Sequence, residues 1–148
     1  MSDTLDTLEN ITYDELNEGD TATFTRTLTE DELVLFAAVS GDVNPVHLDS
    51  EFAAGSMFKE RIAHGMWSGS LISAALATVM PGPGTIYLEQ SLSFKRPVKL
   101  DDTLTVHLKV LRKEPKGRVV VECDVRNQNE QKVVIGEAKV IAPTEKVS

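Results

Sequence analysis

Cysteine occurs once in this chain of 148 residues, at Cys123. A single thiol excludes an intrachain disulfide framework and a cysteine-held metal cluster. Positive charge is also scarce, with 15 Lys and Arg against 23 Asp and Glu and a net charge of −8. Without a basic face to neutralise phosphates, a general nucleic-acid binder is excluded, as is attachment to an anionic membrane surface. A membrane span is lacking too. The most apolar run, Met66 to Met80, is too short and too rich in Ser and Gly for the roughly 20 apolar residues that a span needs. The N-terminal MSDTLDTLEN has neither a basic start nor an apolar stretch, so no export signal is expected and a cytoplasmic location follows.

What is present suffices for one domain with a sizeable core. Residues 1–20 read as an irregular lead-in, 21–142 as the domain and 143–148 as a tail. Thr21 to Leu28 sets Ala22, Phe24 and Leu28 against a row of threonines, a strand pattern. Thr29-Glu30-Asp31-Glu32 is a capping box, and Leu33, Phe36, Ala37 and Ser40 follow at helical spacing. Asp49 or Ser50 can cap a short helix that carries Phe52 and Ala53 inward. Lys59 and Arg61 then stand as candidates for a surface anion. Pro81-Gly82-Pro83-Gly84 stops the apolar run. Beyond it everything alternates: Ile86 to Phe94, Leu104 to Val110, Val119 to Val125, and Lys132 to Ile141, four long strands with one inward apolar row each. Cys123 falls on such a row and reads as core filler. His107 falls among the polar alternates and reads as exposed.

Between the first helix and the apolar run lies Gly41-Asp42-Val43-Asn44-Pro45-Val46-His47. Gly41 can take the left-handed conformation at a helix end, and Pro45 pushes Asn44 toward extended geometry. Asp42, Asn44 and His47 therefore share no regular helix face. Two readings are open. Asp42 and His47 can form a proton-transfer pair, or Asp42 and Asn44 can simply make turn bonds while His47 packs at the surface.

The run from Met66 carries no charge and only Ser68, Ser70, Ser73 and Thr78 as polar side chains, so it reads as a helix buried on nearly all sides. Gly65 stands at its start. There the backbone N–H groups lack intrahelical partners and favour a developing oxyanion, and glycine blocks no approach. The alternative is that Gly65 relieves a tight turn while His64 caps or packs. One dry face of an antiparallel sheet needs a cover, and this helix is the one element apolar enough to supply it. The fold class expected is α+β, a curved antiparallel sheet around a long central helix.

Three segments together resemble the MaoC-like (R)-specific enoyl-CoA hydratases: Gly41 to Asp49, Ile62-Ala63-His64-Gly65-Met66, and Tyr87 to Phe94. The resemblance runs from about Thr21 to Ile141. It implies the hot-dog fold, a homodimer with sites at the subunit interface, Asp42 and His47 as catalytic pair, and Gly65 N–H as oxyanion donor. It also places Ser73 and Asn44 near the site. His64 and Trp67 join them as supporting or substrate-contacting residues, Trp67 as a candidate wall for the acyl chain. The substrate implied is an acyl-CoA thioester, hydrated without metal or cofactor. A thioesterase, or a non-catalytic acyl-thioester binding module, would use the same architecture.

Overall fold

The computed structural model describes residues 8–147. Its sheet begins with β1 (Thr21–Thr27) and continues, after the helices, with β2 (Ile86–Gln90), β3 (Ser93–Phe94), β4 (Thr103–Glu114), β5 (Arg118–Arg126) and β6 (Lys132–Ile141). Strand order is β1-β4-β5-β6-β2, with β3 also on β6, and every pairing is antiparallel. Alternation makes one face dry. Leu104, Val106, Leu108 and Val110 of β4, Val119, Val121, Cys123 and Val125 of β5, and Ala138 and Val140 of β6 are all buried.

Four helices lie between β1 and β2: α1 (Glu30–Ser40), α2 (Pro45–Leu48), α3 (Ser50–Ala54) and α4 (Gly65–Thr78). Trp67, Leu71, Ile72, Ala75 and Leu76 of α4 join the strand residues in one core, so the sheet curls over this helix in the hot-dog arrangement. The expectation of burial on nearly all sides is too strong. Met66 is 56% exposed, Ser70 is exposed and Ser73 half-buried, leaving α4 one uncovered face.

Three other expectations change. The strand from Ile86 to Phe94 is broken, with a register shift between Tyr87 and Glu89, and its supposed inward residues Ile86, Leu88 and Phe94 are exposed. The cause is visible at Gly136 of β6: a Cβ there would stand 1.9 Å from Ser91 O, so the chain crosses β6 too closely for an unbroken ladder. Of the α3 pair, Ala53 is buried but Phe52 is 54% exposed. The lead-in and tail are also more than trailing ends. Leu16 is fully buried, Ile11 N–H donates to Pro81 O and Tyr13 N–H to Pro143 O, both at 2.8 Å, and the Asn10 amide donates to Pro83 O and Glu145 O. Packing therefore extends on both sides of 21–142. No helix among the described residues is long and apolar enough to cross a membrane.

Candidate active site

Thr29 Oγ accepts from Glu32 N–H and starts α1, although Glu32 turns its carboxylate to Arg26 instead of completing the capping box. Gly41 ends α1 at φ 78°, in the left-handed region that glycine tolerates. This reversal aims the next residues at the start of α4. Asp42 Oδ1 accepts from Asn44 N–H at 3.2 Å, and Asn44 Oδ1 accepts from Val46 N–H at 3.1 Å as the cap of α2. The turn bonds of the plain reading are thus real. They occupy only one oxygen of Asp42.

The second oxygen, Oδ2, faces His47 Nε2 at 3.8 Å. His47 is buried, not at the surface, and is held from several directions. Its Nδ1 lies 2.8 Å from Ile62 O, its backbone carbonyl accepts from Arg61 Nε–H at 2.8 Å, and its ring stacks on His64 with centroids 3.8 Å apart. A carbonyl only accepts, so Nδ1 carries a hydrogen, and Nε2 is the ring nitrogen turned toward Asp42. At this separation a water oxygen could lie about 2.8 Å from both atoms.

His64 binds the pair together. Its Nε2–H donates to the backbone carbonyl of Asp42 at 2.8 Å, and its ring is packed between His47 and Phe36. Its Nδ1 is buried without a hydrogen-bond partner among the described residues. His64 is also the N-cap of α4, yet its side chain makes no capping bond. Gly65 follows at the first helical position, where helix geometry leaves the amide N–H free. A Cβ at Gly65 would come within 3.0 Å of the Phe94 ring, so that phenyl group lies directly over the helix start.

Arg61 is not free for an anion. Its guanidinium forks onto Glu30 at 2.9 and 3.1 Å while also holding the His47 carbonyl, so it is a strut between α1 and the site. Neither Arg61 nor Phe94 was legible as part of the site. Arg61 shows as a loop cation and candidate for a surface anion, and Phe94 as the end of an alternating row that also carries the family resemblance, neither with a place beside Gly65 or His47.

The remaining candidates lie around the open face of α4 in separate hollows. His64, Gly65 and Ser68 line a cavity of about 310 Å³ closed by Phe94 and Arg96. Ser73 lines another of about 510 Å³ with Phe36, Met66, Gly69, Ser70 and Leu88. Trp67, 4% exposed, lines a third of about 360 Å³ with Phe24, Leu35, Val39 and Leu71. The structure thus brings Asp42, Asn44, His47, His64 and Gly65 together, and sets Ser73 and Trp67 one layer away. His107 is on the outer side of β4. Burial pushes the Cys123 thiol up to about 12, so at neutral pH it is protonated and no nucleophile.

Asp42, His47 and His64 also form the one group of acid and histidine side chains among the described residues that could converge on a metal. The stacked rings argue against that use, because stacking leaves the two imidazoles side by side instead of pointing their lone pairs at one centre.

A curled antiparallel sheet, a central helix with an open N-terminus and an Asp/His pair beside it define the class of hot-dog proteins that act on thioesters. The chain matches the family described as MaoC like domain over residues 15–132, and it belongs to that family. It is 43% identical, over 88% of its length and 91% of the relative's, to the (R)-specific enoyl-CoA hydratase of Rhodospirillum rubrum. The Aeromonas caviae (R)-specific enoyl-CoA hydratase is 40% identical over 86% of this chain and 96% of its own. Among solved structures, the unliganded R-hydratase PhaJ1 of Pseudomonas aeruginosa superimposes with a TM-score of 0.92 at 60% identity, covering 95% of this chain and 90% of that one.

Proposed function

We propose that the protein is an (R)-specific enoyl-CoA hydratase, adding water reversibly to trans-2-enoyl-CoA to give (R)-3-hydroxyacyl-CoA. The observation that carries this is the facing pair, Asp42 Oδ2 and His47 Nε2, held 3.8 Å apart near the start of α4. As the water oxygen bonds to C3, one member of the pair takes the proton released and the pair returns a proton to C2. The charge that gathers on the thioester oxygen in between meets Gly65 N–H. Asp42 and His47 act on one water. Asn44 holds the loop in place by capping α2, and His64 sets the spacing. The hollows lined by Ser73 and Trp67 share Phe36 and Ser70 and run along α4, which suits an acyl chain. No step needs a metal or redox cofactor.

The same proposal includes a homodimer and a cytoplasmic setting. An unpaired edge strand is a template for pairing with another chain, and β2 is such an edge, with Ile86 55%, Tyr87 39% and Leu88 40% exposed beside Met66. A two-fold partner laid there would cover the open face of α4 and close the site.

Crotonyl-CoA tests the activity. Loss of enoyl-thioester absorbance and an (R) product by chiral analysis are expected. An (S) product, or free CoA without hydration, would replace this reading with another hot-dog activity.

A further inference from the structure

The phosphates of the carrier are the part of the substrate that the site so far leaves without partners. Three cations near the site are already paired. Arg61 is spent on Glu30, Lys99 lies 3.4 Å from Glu60, and Arg26 pairs with Glu32. Lys95 and Arg96 differ. Both are exposed, and among the described residues neither forms an ion pair. Both line the cavity that His64 and Gly65 also line. The other hollows on α4 lack this feature: one carries Glu89, and the other carries Arg26 already neutralised.

The backbone keeps the two cations in register with the oxyanion donor. Lys95 N–H and Arg96 N–H both donate to Val133 O, at 2.8 and 3.4 Å, so β6 anchors this stretch. Ala63 N–H donates to Val98 O at 2.7 Å, and Ile62 bridges to Lys99. The segment that presents the cations is therefore bonded directly to the segment that leads into α4. An Arg fork and a Lys ammonium are the side chains suited to phosphate oxygens, and in a chain of net charge −8 they reverse the local field.

We propose that Lys95 and Arg96 bind the phosphate groups of the coenzyme A carrier, whose arm lies along this cavity with the thioester at Gly65. The assignment rests on the hydratase reading and adds the residues that would hold the phosphates of its carrier. Binding by these two groups acts on the phosphates alone, so it should lower KM without touching the chemical step.

The test compares crotonyl-CoA with crotonyl-pantetheine, which has the same reacting end and no phosphate. In the double variant Lys95→Gln, Arg96→Gln, KM for crotonyl-CoA should rise about tenfold, the size expected of two exposed charge contacts, with kcat retained. For crotonyl-pantetheine, kcat/KM should stay within about twofold of wild type. Added salt should weaken the wild type toward the variant with the CoA substrate only. An equal loss on both substrates, or no loss on either, overturns the assignment while leaving the hydratase reading standing. Failure of the wild type to hydrate crotonyl-CoA overturns both.

Discussion

His64→Phe is the substitution that most directly asks whether the site depends on alignment. Phenylalanine retains a flat ring to stack on His47, 3.8 Å away, and to meet Phe36, but removes the N–H that holds the Asp42 carbonyl at 2.8 Å. It also removes the buried Nδ1 that has no partner among the described residues, a group that costs stability where it stands. Losing the hydrogen bond costs about 0.5–1.5 kcal/mol, and removing the orphan nitrogen offsets part of that, so Tm should fall by no more than about 4 °C for a chain of this size. Activity should respond far more. Asp42 is otherwise held by turn bonds in a half-exposed loop, and a displacement of about 1 Å from a productive geometry can cost about 10²-fold. We expect kcat with crotonyl-CoA to drop about 10- to 100-fold with KM changed less than about threefold. His64→Gln, which returns a donor without the ring, should recover part of the kcat lost in the Phe variant. Steady-state hydration measured beside thermal melting separates the cases. A Phe variant with wild-type kcat refutes the positioning role, and a collapse in Tm with no recovery in the Gln variant returns His64 to ordinary core packing.

Asp42→Asn and His47→Ala should each lower kcat by about 10²-fold or more, and the double variant should lose less than the product of the two, because both act on one water. Near-normal turnover in either would return that residue to a turn or packing role. Light scattering should give a homodimer, and Ile86→Asp on the exposed edge should weaken it together with activity; a fully active monomer at micromolar concentration contradicts the interface. Trp67→Ala should raise kcat/KM for eight-carbon relative to four-carbon enoyl-CoA, by at most roughly 0.8 kcal/mol for each methylene newly accommodated, whereas an equal loss at all lengths makes Trp67 structural. Cys123, whose thiol burial pushes up to about 12, should resist a thiol-specific disulfide reagent at pH 8 in the native protein and react on denaturation; rapid native labelling would contradict its burial.

The inward rows that prove buried belong to β4, β5 and β6, the strands with neighbours on both sides. In β4 the inward row is simple because β1 and β5 flank it and one face is dry. The same alternation misplaces Ile86, Leu88 and Phe94, since period-2 patterning says that one face is apolar and not what will cover it. On an edge strand the cover need not come from the same chain. Phe94 illustrates the cost: read as a core residue, it proves to be the ring over Gly65, and the 3.0 Å approach gives glycine a steric reason there beside the chemical one.

The site divides along the same line. Asp42, Asn44 and His47 lie within one turn, so local rules of helix ending, proline geometry and capping place them, and motif resemblance supplies Gly65. What local rules cannot place are contacts made between segments. Arg61 reads as a free loop cation because Glu30, its partner, is 31 residues away. His64 reads as a cap because its true neighbours, the His47 ring and the Asp42 carbonyl, arrive from the loop after α1. These contacts hold Asp42 and His47 in their relative placement. The residue types were legible in one short loop, whereas their spacing is a property of how three segments meet.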